Sequence, residues 1–281
     1  MAEYAKDVLV DTQWVEEHLD DDTIRIVEVD ENPALYAEAH IPGAIGFDWQ
    51  KDLQDQVKRD FLGPEDFGRL FGSRGVSNDH TVVLYGDRNN WFAAYTYWYL
   101  KYYGHDRVLL MNGPREKWIE EGRPTSTDAP SHAATTFEAR GPDDSIRAVR
   151  DDVLKVVGTD TRLVDVRSPQ EFSGELIAMA GYEQEGAQRS GHIPGAINVP
   201  WAQAVREDGT FKSADDLREL YGAQGTLDGN DIVAYCRIGE RSAHTWFVLH
   251  ELLGHDNVRN YDGSWTEWGN MVAVPVEKDL P

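Results

Sequence analysis

The sequence predicts an α/β protein of two tandem domains, each a parallel sheet with helices on both faces. Two observations carry the prediction. The same short motifs recur in the same order in both halves of the chain. Within each half, short apolar runs alternate with helical stretches, the pattern of strand–helix–strand units in a covered parallel sheet. The length of 281 residues also exceeds the ~100–200 of an ordinary single domain.

The repetition is specific. Arg25-Ile26-Val27-Glu28-Val29 aligns with Arg162-Leu163-Val164-Asp165-Val166, and His40-Ile41-Pro42-Gly43-Ala44-Ile45 with His192-Ile193-Pro194-Gly195-Ala196-Ile197. Thr81–Tyr85 aligns with Asp231–Tyr235, and Asn112-Gly113 with Trp118 aligns with Asp262-Gly263 with Trp268. The repeat is about 150 residues, far beyond the 20–50 of a solenoid, so whole domains are duplicated. The segment from Pro124 to Ser145 is rich in Pro, Thr, Ser, Ala and Asp without apolar periodicity and reads as a linker, long enough to run back across a domain face. The expected division is a first domain over 1–125, a linker over 126–144 and a second domain over 145–281.

Taken in order, Ile24–Val29 and Val82–Tyr85 are the apolar runs of buried parallel strands in the first half, as Leu163–Val166 and Ile232–Tyr235 are in the second. Ala93–Tyr103 and Ala243–Leu253 follow as apolar helices, closed by Gly104 and Gly254. Val108–Met111 and Val258–Tyr261 are the next strands. The halves differ in one place. Glu28 and His40 are 12 residues apart, whereas Asp165 and His192 are 27 apart, so the second half carries an insertion within roughly Ser173–Ser190. It reads as a surface loop, with a flap near the site as the alternative. The cluster Trp91, Phe92, Tyr95, Tyr97, Trp98 and Tyr99 reads as core, with Trp91 a candidate wall of a cleft.

Composition narrows the partners. A net charge of −23, with Asp and Glu spread along the chain, argues against nucleic acid and anionic membranes. Eight lysines against 19 arginines under so much acid suggest a chain suited to a high-salt cytoplasm, where counterions screen self-repulsion. No run approaches the ~18 apolar residues of a membrane span. The polar, acidic start lacks a charged-then-apolar pattern, so the protein reads as cytoplasmic. The nine histidines show no metal-ligand spacing, and no metal or organic cofactor is expected.

A single cysteine, Cys236, excludes an intrachain disulfide. It lies in Tyr235-Cys236-Arg237-Ile238-Gly239-Glu240-Arg241-Ser242, between a buried strand and an amphipathic helix. Sites in open parallel sheets form at the carboxyl ends of strands. A thiol before a helix N-terminus, beside two arginines, is expected to lose its proton more easily. Gly239 lets successive amides converge on one point. Such a cradle fits a sulfur atom or the sulfur end of a small oxyanion.

With the duplicated His-Ile-Pro-Gly-Ala-Ile, Asp165-Val166-Arg167 followed by Glu171-Phe172, and Cys-Arg-Ile-Gly-Glu-Arg, the chain resembles the tandem-domain rhodaneses, the thiosulfate sulfurtransferase family, over essentially its whole length. The resemblance implies that Cys236 is the sulfur-accepting nucleophile and that the loop Arg237, Ile238, Gly239, Glu240, Arg241 and Ser242 surrounds the persulfide and binds the donor. It implies a structural role for Asp165 with Arg167, and turn and packing roles for His40 and His192. Gly86, followed by Asp87, stands where Cys236 does in the repeat, so the first domain is expected to be catalytically inactive. The sequence departs from some members at Ile238, where they carry Lys, at Glu240, which adds a negative charge, and at Glu171, where they carry Arg.

The implied cycle has two steps. The Cys236 thiolate takes the outer sulfur of thiosulfate while Arg237 and Arg241 hold the sulfonate, and sulfite leaves. Cyanide, a thiol or a dithiol, small or on a protein, then removes the sulfur. The chain is expected to work as a monomer. The alternatives are 3-mercaptopyruvate as donor, disfavoured by Arg237, and a non-enzymatic persulfide carrier in a sulfur relay. A phosphatase is disfavoured because its loop between Cys and Arg is one residue longer.

Overall fold

The computed structural model describes residues 3–183, 186–229 and 231–278. The chain divides into two compact units. One comprises Asp7–Asp143 with Val205–Phe211, the other Asp144–Ala204 and Lys212 onward with the N-terminal stretch to Lys6. Among the described residues no helix is long and apolar enough to cross a membrane.

The first unit holds strands β1 (Leu9–Val10), β2 (Ile24–Val29), β3 (Ile45–Phe47), β4 (Thr81–Tyr85) and β5 (Val108–Met111), in the order β1-β5-β4-β2-β3 and parallel throughout. Its helices are α1 (Thr12–Glu17), α2 (Leu35–Glu38), α3 (Pro64–Ser73), α4 (Trp91–Tyr102) and α5 (Arg115–Glu120). Asp11 caps α1 by accepting from the Trp14 amide at 2.7 Å, and Pro64 opens α3, where its missing N–H costs nothing. A helix apolar on all sides must be covered on all sides, and α4 is: every residue but Lys101 is buried. Phe61 and Phe67 pack on Tyr99 with ring centroids 4.5 and 4.7 Å apart, and all six residues of the aromatic cluster, Trp91 included, are buried. The segment read as a linker runs back over α3. The Thr135 amide donates to the Gly72 carbonyl at 2.8 Å, and Phe137 is buried against Phe67 and Phe71.

The second unit repeats the plan. Strands β6 (Arg147–Ala148), β7 (Arg162–Asp165), β8 (Ile197–Asn198), β9 (Ile232–Tyr235) and β10 (Val258–Tyr261) form a parallel sheet in the order β6-β10-β9-β7-β8. Its helices are α6 (Arg150–Val156), α7 (Pro169–Ser173), α8 (Ala214–Ala223), α9 (Glu240–Trp246) and α10 (Ser264–Trp268). The π turns of Phe247–Leu252 extend α9. The helix expected from Ala243 thus starts three residues earlier, so Glu240, Arg241 and Ser242 belong to its first turn rather than to a loop.

The shared histidines are packed as expected. His40 stacks on Tyr36 at 4.0 Å and His192 on Phe172 at 3.7 Å, each with its Nδ1 against the backbone carbonyl of the stacking partner. Arg167 meets Asp165 at 2.5 Å, fully buried, and also donates to the Gly191 carbonyl at 2.7 Å. The pair ties the end of β7 to the chain returning before His192.

Candidate active site

Cys236 follows the last residue of β9, and its position is set from three sides. The Cys236 amide donates to Ser264 Oγ at 3.0 Å. The first amides of α10 take the loop's carbonyls: Trp265 N–H donates to Cys236 O at 3.0 Å and Thr266 N–H to Arg237 O at 2.9 Å. Asn260, buried on β10, donates to the Gly239 carbonyl at 2.9 Å and accepts from Ser242 Oγ at 2.6 Å. Gly239 makes the turn with φ +97°, and a Cβ there would lie 2.9 Å from Asp262 Oδ1, so conformation and space both demand glycine.

The thiol sits in a charged ring that is shut off from solvent. The Gly239 amide donates to Cys236 Sγ at 3.2 Å. Sγ in turn donates to Glu240 Oε2 at 3.2 Å. Glu240 also accepts from the Ile238 amide at 3.3 Å and from Arg237 Nη2 at 3.0 Å. Arg241 is held bidentately by Glu171, at 3.1 and 3.2 Å. Glu171 is fixed by a capping box with Ser168 at the start of α7. Cys236, Arg237, Glu240, Arg241, Ser242 and Glu171 are all buried.

Two expectations change here. The thiol is not acidified. Burial pushes it above its ordinary range, the Glu240 charge pushes further, and Arg241 with Ser242 only partly offsets them. Nor are the arginines bare charges: Arg237 is paired with Glu240 and Arg241 with Glu171, so two cations face two carboxylates. Burial raises the Glu240 carboxyl, but Arg237 and Arg241 outweigh it and hold it below the usual carboxylate range. The Glu171 carboxyl is likewise raised by burial, but Arg241, Arg167 and the Ser168 amide together bring it below the usual range.

The insertion reaches the site, which the surface-loop reading missed. Met179 Sδ accepts from Arg241 Nη1 at 2.9 Å, and the Tyr182 ring lies 4.3 Å from the Arg237 guanidinium. Both side chains are half-buried, so the described part of the insertion covers the two arginines like a flap, while residues 184 and 185 lie outside the described residues. Sequence reading also passed over Asn260. Glu171 enters the sequence reading as part of the Glu171-Phe172 signal and as a departure, but not as a partner of Arg241, although Ser168-x-x-Glu171 before Phe172 is a legible capping box.

In the first unit, Gly86 occupies the position of Cys236, and a Cβ there would stand 2.1 Å from the Val29 carbonyl oxygen. That strand end has no room for a thiol. Asn90 fills the turn instead, accepting from the Gly86 amide at 2.8 Å. Around it Glu28, Asp30 and Asp87 are buried with Tyr85 and Arg115. A pocket of about 400 Å³ opens at the ends of β2 and β3, lined by Glu28, Asp30, Tyr36, Asp48, Lys51 and Asp52, and contains no thiol.

The fold and site define a duplicated α/β protein with one cysteine-bearing strand end, cupped by the first turn of the following helix. The rhodanese-like domain model matches residues 11–121 and 150–271, and the chain belongs to that family. It is 59% identical to a Haloferax volcanii protein provisionally named thiosulfate sulfurtransferase, over 99% of this chain and 98% of that one. It is also 59% identical to the sulfur carrier protein TtuD of Thermus thermophilus, over 97% of each. Among solved structures it resembles a variant of EanB with a cysteine persulfide in a tetrahedral intermediate state with ergothioneine. That match has a TM-score of 0.86 and 25% identity, over 100% of this chain and 73% of that one.

Proposed function

We propose that the protein is a sulfurtransferase that moves the sulfane sulfur of thiosulfate to a thiol acceptor, or to cyanide, through a persulfide on Cys236. The observation that carries this is the placement of the chain's only thiol at a strand end, with the Gly239 amide on its sulfur and Arg237 and Arg241 within the following turn. The names of the Haloferax and Thermus relatives and the persulfide of the EanB structure support sulfur chemistry. Thiosulfate as donor rests on the two arginines, whose guanidinium groups suit a small divalent oxyanion. Residues 145–281 carry the reaction, and 1–125 form the inactive copy. A free thiol as nucleophile suits the reducing cytoplasm.

A second reading has a specific observation in its favour. The TtuD relative is named a sulfur carrier, and here both arginines already face carboxylates. In that reading Cys236 accepts sulfur from a protein donor and hands it on. One assay separates the two. Thiocyanate release from thiosulfate and cyanide is measured for the wild type and Cys236→Ser, with 3-mercaptopyruvate as the competing donor. Loss of release in the variant, with the fold retained by circular dichroism, is the expected result. Full activity in Cys236→Ser sinks the whole reading, preference for mercaptopyruvate sinks thiosulfate, and a stable persulfide without turnover points to the carrier.

A further inference from the structure

Glu240 is placed strangely for a site meant to bind a dianion. Its carboxylate accepts from the Cys236 thiol, the Ile238 amide and Arg237, the kinds of donor an incoming sulfur oxyanion would use. The protein thus carries its own anion where the substrate's would go. The two arginines are held by different carboxylates. Arg241 is pinned by both oxygens of Glu171, which α7 fixes through its capping box. Arg237 donates from Nη2 to Glu240, and the Tyr182 ring of the inserted segment lies 4.3 Å from its guanidinium.

We infer that Glu240 is the proton acceptor for Cys236, and that an anionic donor switches it on by drawing Arg237 away from its carboxylate. The inference rests on the sulfurtransferase reading above. Glu240 is a fully buried carboxylate that stays ionised because Arg237 and Arg241 face it. When Arg237 turns to the donor's oxygens, burial is opposed by one cation instead of two, and the carboxylate becomes a stronger base beside the thiol it already touches. Until then the sulfur is a neutral thiol and does not repel the dianion. The remaining charged groups packed around this centre do not substitute for Arg237. Glu171 is spent on Arg241, Asp262 is paired with Arg147 at 2.8 Å, and Tyr182 contributes its ring. His244, farther along α9, is kept neutral by burial, which lowers it to about 3.

The chemistry balances with the proton confined to the pair. Cys236 S–H gives its proton to Glu240, leaving thiolate and neutral carboxyl. The thiolate forms a bond to the outer sulfur of thiosulfate, and the bond between that sulfur and the sulfonate sulfur breaks with both electrons leaving on sulfite. Cys236 is then a persulfide anion. An acceptor nucleophile such as cyanide takes the terminal sulfur, the S–S electrons return to Cys236, and Glu240 gives the proton back. No outside oxidant, reductant or net proton is needed.

The reactive form and the resting form hold the same number of protons, so persulfide formation by the wild type should not vary with pH between the titrations of Glu240 and Cys236. In Glu240→Gln the proton must go to solvent, and the rate should fall about tenfold per pH unit below that variant's thiol titration. The experiment measures single-turnover persulfide formation from thiosulfate across pH for both proteins, with thiolate absorbance followed in the absence of donor. The chain's single cysteine makes that absorbance report Cys236 alone. Removing the carboxylate should lower the thiol's titration, because the Glu240 charge is one of the two things that raise it. Glu240→Asp, which keeps a charge for Arg237 but retracts the carboxylate, should also acquire the acid limb. Superimposable pH profiles overturn the inference, as does an unchanged thiol titration. A wild type that forms no persulfide from thiosulfate, yet shows the lowered titration in Glu240→Gln, instead faults the thiosulfate reading and leaves the Cys236–Glu240 contact standing.

Discussion

Gly239 shows how little tolerance the site has at single positions. Its φ of +97° lies where side chains are rarely found, and the Asp262 side chain occupies the space a methyl group would need. Gly239→Ala should therefore cost about 1–3 kcal/mol of stability, the range for a residue forced into a sparse backbone region. It should also slow persulfide formation by moving the amide that donates to Cys236 Sγ. Thermal denaturation and the single-turnover assay test the two effects separately. A variant with wild-type stability would mean that the turn relaxes without that conformation. Asn260 and Ser264 work from farther away. One holds the carbonyl of Gly239 and the hydroxyl of Ser242, the other the amide of Cys236, so the nucleophile's position depends on β10 and α10 as much as on its own loop.

The flap belongs to the scale of elements. Cys236, Arg237 and Arg241 are buried, and Met179 and Tyr182 of the inserted segment pack on the two arginines, so in the sulfurtransferase reading this segment is expected to limit access to the thiol. A desolvated cation–π contact holds about 1–2 kcal/mol. Tyr182→Ala should therefore raise the rate at which iodoacetamide alkylates Cys236 by about five- to thirtyfold, under conditions where opening precedes reaction. Alkylation at the wild-type rate would show that Tyr182 does not limit access. Helix α7 has the opposite character. Its capping box immobilises Glu171, and Glu171 immobilises Arg241, so this short helix at the foot of the flap sets the rigid wall of the site.

Across the whole molecule, the buried carboxyls at the two matching strand ends answer pH in opposite directions. In the first, burial and then the neighbouring Glu28 raise the Asp30 carboxyl to about 9, and burial raises Glu28 and takes Asp87 to about 7. A carboxyl raised on folding contributes stability at acid pH, below its unfolded value of about 4, and loses it as pH climbs through the folded value. In the second, Glu171 and Glu240 are lowered, so their contribution is present at neutral pH and is lost as pH falls through their folded values. Thermal stability should thus decline between neutral pH and about pH 9, and Asp30→Asn should flatten that decline. A variant with the wild-type alkaline profile would remove the Asp30–Glu28 pair as its source.

Much of this protein is written locally, and that part was legible. Strand and helix periodicity and turn words such as His-Ile-Pro-Gly-Ala-Ile depend on neighbours along the chain, so the sequence determined the duplicated α/β fold, the family, and the fact that one copy alone has a thiol at its strand end. The state of that thiol was not local. Glu171 meets Arg241 across 70 residues, Met179 across 62, and Asn260 reaches Gly239 across 21. Read along the chain, Arg237 and Arg241 were charges waiting for a substrate. Folded, each faces a buried carboxylate, and the thiol of Cys236, raised by burial and by Glu240, keeps its proton. Burial decides such matters, because removing water multiplies the effect of every nearby charge, and burial exists only once β9, α7, α9, α10 and the flap have come together.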